Sequence, residues 1–60
     1  MEWRVPVWDG MSRRREIVVT VTDGVVVIKA PPGEGFRLDP DDADTLAYSI
    51  LTASNYARRT

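Results

Sequence analysis

The sequence has no cysteine and no histidine. Without cysteine there is no disulfide and no thiolate metal site. Without histidine, the commonest metal ligand, the commonest general base and the usual switch near neutral pH are all missing. An excess of one charge is missing too: eight Lys plus Arg stand against nine Asp plus Glu, for a net charge of −1. A dedicated nucleic-acid binder is usually basic overall. No apolar run approaches the ~20 residues that a membrane span needs. The opening MEWRVPVWDG lacks the basic start and apolar centre of a signal peptide. A cytoplasmic protein without a membrane partner is therefore the expectation. Length is the other shortage. The 60 residues predict a single small domain over 1–60, and a chain this short buries only about 60% of its unfolded surface. Small domains usually add disulfides, a metal or a partner chain. Of these, association is the remedy left open.

What the chain does have is valine, gathered in EIVVTVTDGVVVIKA, Glu16 to Ala30. Thr22-Asp23-Gly24-Val25 fits a two-residue type I′ turn, because Asp-Gly tolerates the positive φ angles that turn demands. The segments 16–22 and 25–30 then form a hairpin, and the turn fixes its register. Thr22 faces Val25, Val21 faces Val26, Thr20 faces Val27, Val19 faces Ile28, Val18 faces Lys29 and Ile17 faces Ala30. Ile17, Val19, Val21, Val26, Ile28 and Ala30 make one wholly apolar face. Val18, Thr20, Thr22, Val25, Val27 and Lys29 make a mixed one. Upstream, residues 2–8 alternate, with Trp3, Val5 and Val7 on one side; Pro6 donates no ladder hydrogen bond, so this segment is predicted as an edge strand. Residues 9–15, DGMSRRR, read as a loop, and 31–35, PPGEG, as a break with a sharp change of direction. Phe36-Arg37-Leu38 continues extended, with one of Phe36 and Leu38 anchoring the chain.

Asp39-Pro40-Asp41-Asp42 predicts a helix start: Asp39 at the N-cap, Pro40 at the first helical position, acids in the first turn. The helix runs over about 40–58 and ends on Arg58 and Arg59, which suit the negative end of its dipole. At about 100° per residue, Ala43, Leu46, Ala47, Ile50, Leu51, Ala53, Ser54 and Ala57 fall on one side, which should lie on the apolar hairpin face. The other side carries Asp44, Thr45, Tyr48, Ser49, Thr52, Asn55 and Tyr56. A solvent face is usually rich in Glu, Lys and Arg, whereas this one is rich in hydroxyls. The fold class predicted is α+β: a small antiparallel sheet, three-stranded if 2–8 joins it, packed on one C-terminal helix.

Candidate chemistry is sparse. Asp39, Asp41, Asp42 and Asp44 begin like a calcium loop, but Ala43 and Asp44 occupy its fifth and sixth positions, where a ligand and a glycine belong. Helix capping accounts for these acids, and no metal or cofactor is expected. PPGEG lacks the Lys-Ser/Thr of a phosphate loop. Ser12, Ser49 and Ser54 have no histidine to activate them, so no catalytic residue and no enzyme activity is expected. Arg13, Arg14 and Arg15 are the candidate nucleic-acid contacts; a solvated loop is the plainer reading of them. Trp3 and Trp8 suit core or interface anchors.

The mixed face poses the question of what covers it, because one helix shields one side of a sheet. A second copy, sheet to sheet or helix to helix about a two-fold axis, is the simplest cover; an unidentified cellular protein is the other. Val18, Val25 and Val27 on the sheet, and Tyr48, Thr52 and Tyr56 on the helix, are the candidate interface residues.

The order strand, Asp-Gly turn, strand, Phe-Arg-Leu-Asp, capped helix, Ala-Arg-Arg, over Glu16 to Arg59, resembles the ββα N-terminal dimerisation domain of the actinobacterial H-NS-like nucleoid silencers. The resemblance implies a homodimer. These 60 residues hold no Arg-Gly-Arg hook of that family's DNA-binding domain, so it does not imply direct silencing. VTVTDGVVVIKAPPGE with an alanine-rich helix after it is also similar to short uncharacterised proteins of actinobacteria and their phages, which implies a small accessory protein. The functional expectation is a non-enzymatic, homodimeric interaction module that binds and modulates a cellular protein; the alternative is a nucleic-acid-associated regulator using Arg13 to Arg15.

Overall fold

The computed structural model describes residues 1–33 and 35–59. In chain order the elements are β1 (Glu2–Asp9), β2 (Arg14–Thr22), β3 (Val25–Lys29), β4 (Phe36–Arg37) and α1 (Pro40–Ala57). The strands form one antiparallel sheet in the order β3-β2-β1-β4. The helix packs on one face of it, lying most closely on β2, in an α+β arrangement.

The β2–β3 turn has Asp23 at φ 52° and Gly24 at φ 74°, both positive as a type I′ turn requires. Thr22 faces Val25, Val21 faces Val26, Thr20 faces Val27, Val19 faces Ile28 and Val18 faces Lys29, the register expected from the sequence. β3 ends at Lys29, so the expected Ile17–Ala30 pair falls beyond the ladder.

The β1–β2 connection is a second hairpin, tighter than the expected loop over 9–15. The Asp9 N–H donates to the Arg13 carbonyl at 3.0 Å, and the Ser12 N–H donates to the Asp9 carbonyl at 3.0 Å. This is a three-residue loop whose last residue, Ser12, sits at φ 59°, the left-handed position such loops need. Arg14 and Arg15 therefore belong to β2. β1 is also not a simple edge strand. Trp8 pairs with Arg37 and Asp9 with Phe36, which makes the sheet four-stranded rather than three-stranded. Over the rest of β1, among the described residues, only β2 is alongside. Because the Asp9 N–H points at β2, alternation turns the nitrogen of Pro6 to the open side, where a missing donor costs nothing.

The core is Val5, Val7, Ile17 and Val19, all fully buried, with Ala53 of the helix. Trp3, Val21, Val26, Leu38, Leu46 and Ile50 pack around it. Leu38 is thus the anchor before the helix, while Phe36 stays 39% exposed. In the break before β4, Gly33 takes φ 119°, and Glu34 of PPGEG lies outside the described residues.

The helix starts as its sequence signals, with Pro40 in the first turn after an extended Asp39. Asp39 caps through its backbone: its carbonyl accepts from the Ala43 N–H at 2.9 Å, and its side chain makes no capping bond. Arg58 and Arg59 lie just past the last helical residue, Ala57. The buried stripe differs from the one predicted. It runs through Ser49, Ala53 and Ala57, while Ala43, Ala47 and Leu51 are exposed and Thr52 is half-buried. The Ser49 hydroxyl donates to the Thr45 carbonyl at 2.8 Å, so it enters the interior with its hydrogen bond already made. Small residues at i, i+4 and i+8 then let the helix sit close to the sheet.

Two substitutions test this packing. Ala53→Leu overfills a fully buried position of the helix–sheet core and should destabilise by about 1–3 kcal/mol; Ile17→Ala should cost about 2–5 kcal/mol. Urea unfolding followed by tryptophan fluorescence measures both.

Candidate functional site

At one end of the sheet, four arginines gather around one buried carboxylate and one tryptophan. Asp9 is 3% exposed. Its Oδ1 accepts the backbone N–H groups of Met11 and Arg13, both at 2.9 Å. Its Oδ2 accepts the Nε–H of Arg13 at 3.1 Å and of Arg15 at 3.2 Å. The Arg13 backbone N–H does most to hold the Asp9 carboxyl down to about 2, against the opposing effect of burial, with help from the Met11 N–H and the two guanidinium groups. Arg14 stacks on Trp8, 4.6 Å from the ring centroid, and reaches Asp42 of the first helical turn at 3.7 Å. Arg37, beside Trp8 on β4, donates to the Ser12 hydroxyl at 2.9 Å. Trp8, Ser12, Arg37, Leu38 and Asp39 border a shallow open groove of about 560 Å³ here.

The structure thus brings Arg13, Arg14 and Arg15 to one end of the molecule, each with an acidic partner. Sequence reasoning missed the residue that organises them, Asp9. Its signal was an Asp-Gly pair directly after a strand, where an aspartate side chain commonly bonds backbone N–H groups two or more residues on. Of the helix-start acids, Asp42 pairs with Arg14, while Asp39, Asp41 and Asp44 are exposed. Among the described residues, no three His, Cys, Asp or Glu side chains cluster as metal ligands.

The second surface is the bare face of the sheet, opposite the helix. Val18 and Val27 are half-buried and Val25 is 58% exposed. Alternation places Arg4 and Glu2 on this face with them, and Arg4 bridges Glu2 at 2.7 Å and Glu16 at 3.2 Å. The third surface is one flank of the helix, where Tyr48, Thr52, Asn55, Tyr56 and Arg59 form a groove with Met1. The three valines therefore share one side of the molecule, and the two tyrosines lie together on another.

Compared with known proteins, the chain matches no family model, no curated protein and no solved structure.

The Asp9 cage makes two predictions. A carboxyl whose folded pKa lies below its ordinary 3.8 adds stability that is fully present above that value and is lost as pH falls through about 2. Wild type should therefore lose stability relative to Asp9→Asn between pH 5 and 2, with the gap between their urea midpoints narrowing across that window. Ser12→Gly frees a left-handed position that costs a non-glycine residue about 1–2 kcal/mol, against loss of one exposed bond to Arg37. A net gain of up to about 1 kcal/mol is expected, read from the same unfolding curves.

Proposed function

We propose that the protein is a small non-enzymatic interaction module that works as a homodimer and presents its bare sheet face to a cellular protein that it modulates. One observation carries this reading: Val18, Val25 and Val27 stand on the face that the single helix leaves uncovered. A sheet of this size with valine on its solvent side gains from apolar cover, and a chain of 60 residues gains stability from a partner. Tyr48 and Tyr56, 72% and 40% exposed, add a second surface of the type enriched at protein interfaces.

The alternative, a nucleic-acid-associated regulator using Arg13 to Arg15, is supported less. Arg13 and Arg15 are committed to Asp9, and Arg14 to Trp8 and Asp42. A phosphate would have to compete with those acids for the same guanidinium groups.

Light scattering behind gel filtration, over a dilution series, tests the reading. The expected result is a mass twice the 6.8 kDa of one chain at the concentrated end. One chain's mass at every concentration contradicts the homodimer. Retention of duplex DNA that weakens steeply with added salt would favour the regulator instead.

A further inference from the structure

We infer that β3 is the seam of the homodimer: two copies of Val25–Lys29 pair edge to edge, antiparallel, about a two-fold axis at Val27. The inference rests on the homodimer reading and names its geometry. It places the contact at the edge of the sheet rather than across its bare face.

The two edges of the sheet are unequal. On one side, β4 is two residues long and the open stretch of β1 contains Pro6, which cannot donate. On the other side, β3 presents five residues without a proline or a bulge. An unpaired strand edge is a template for another strand. The type I′ turn makes Thr22 and Val25 the closing hydrogen-bonded pair of the hairpin. Alternation along the ladder then points the N–H and C=O of Val27 at β2 and turns those of Val26 and Ile28 outward.

Those outward groups select the register. An axis at Val27 sets Val26 opposite the partner's Ile28, and Ile28 opposite the partner's Val26. All four outward N–H and C=O pairs are then used. Shifting the axis to Val26 or to Ile28 leaves one of the two residues facing the turn or the end of the strand.

The side chains agree with this register. On the helix side of the sheet, Ile28 is 48% exposed although it belongs to the apolar face, and the pairing sets it beside the partner's Val26. The flank of the helix grooved with Met1 lies on the β1 side, so the opposite flank, with Ile50 and exposed Ala47, lies toward β3 and the seam. Strands lie about 4.8 Å apart, so helices seated over the two β2 strands stand about 14 Å apart. That is wider than the 8–10 Å of direct helix packing, and Ile28 of both copies lies beneath the space between them.

Charge agrees as well. Lys29, the sole lysine, and Asp23 join no ion pair within the protomer among the described residues. The register sets Lys29 opposite the partner's Val25, at the end of the partner's strand that carries the turn and its Asp23, so opposite charges stand at the same end of the seam. Because the other edge is blocked, assembly stops at two copies. The bare faces of both sheets merge into one larger valine surface that stays open for a target.

The absence of cysteine makes the test clean. At the axis, Val27 and its counterpart form a non-hydrogen-bonded pair about 4.5 Å apart at Cα, a spacing that a disulfide spans. Val27→Cys should oxidise to a reducible two-chain species at least ~10-fold faster than Val25→Cys or Val18→Cys, whose counterparts lie farther from the axis. Ile28→Pro removes an outward donor that the chain's own ladder does not use, and should reduce the mass to one chain. Val18→Asp, on the bare face away from the edge, should leave it at two. A wild-type dimer in which Val18→Cys crosslinks faster than Val27→Cys, or which Val18→Asp dissociates and Ile28→Pro does not, overturns the edge seam and keeps the homodimer. A wild-type chain that is monomeric at all concentrations overturns both. If Ile28→Pro fails to fold, the three cysteine variants decide alone.

Discussion

The turn at Asp23 and Gly24 constrains most of this molecule. Its two positive φ angles close the β2–β3 hairpin in one register, and a shift by one residue would carry every valine to the opposite face. In the register adopted, Ile17 and Val19 go under the helix with Val5 and Val7, while Val18, Val25 and Val27 go to the side without one. The same turn also decides which backbone groups of β3 face its neighbour and which face outward. Core, bare face and open edge are thus three results of one local choice.

A second organising contact lies at the other end of the sheet. Asp9 ends β1, and its carboxylate gathers the N–H groups of the next loop together with two guanidinium groups. This places a basic sequence in a structural role. Arg13 and Arg15 share one buried carboxylate, and Arg14 bridges sheet to helix through Trp8 and Asp42. The run of arginines that suggests a phosphate contact in the sequence is, in the fold, a clamp on the β1–β2 hairpin.

The parts of the fold legible in the sequence were those governed by local chemistry. Asp-Gly demanded a type I′ turn, Asp-Pro opened a helix, and Pro6 found the side of β1 that needs no donor. The parts that were not legible depended on tertiary fit. Hydropathy placed Leu51 inside and Ser49 outside, and the fold reverses them. A serine bonded to its own helix backbone fits a close helix–sheet contact where a leucine does not. β4 was too short to be predicted as a strand, since two residues carry no alternation. The side of the sheet that Val18, Val25 and Val27 occupy was legible because it depends on the register alone. The pairing of Arg13 and Arg15 was not, because the Asp-Gly signal at Asp9 points to backbone N–H groups and does not say which guanidinium groups the second carboxylate oxygen takes.

The hairpin register leaves β3 with matched, unpaired backbone groups, and the proposed dimer satisfies them with a second copy. Amide hydrogen exchange measured residue by residue, at high and low protein concentration, tests this most directly. The Val26 and Ile28 amides should be protected like that of Val27 in the concentrated sample and lose protection on dilution, while Val27 keeps its own. Fast exchange at Val26 and Ile28 at every concentration would contradict the shared edge.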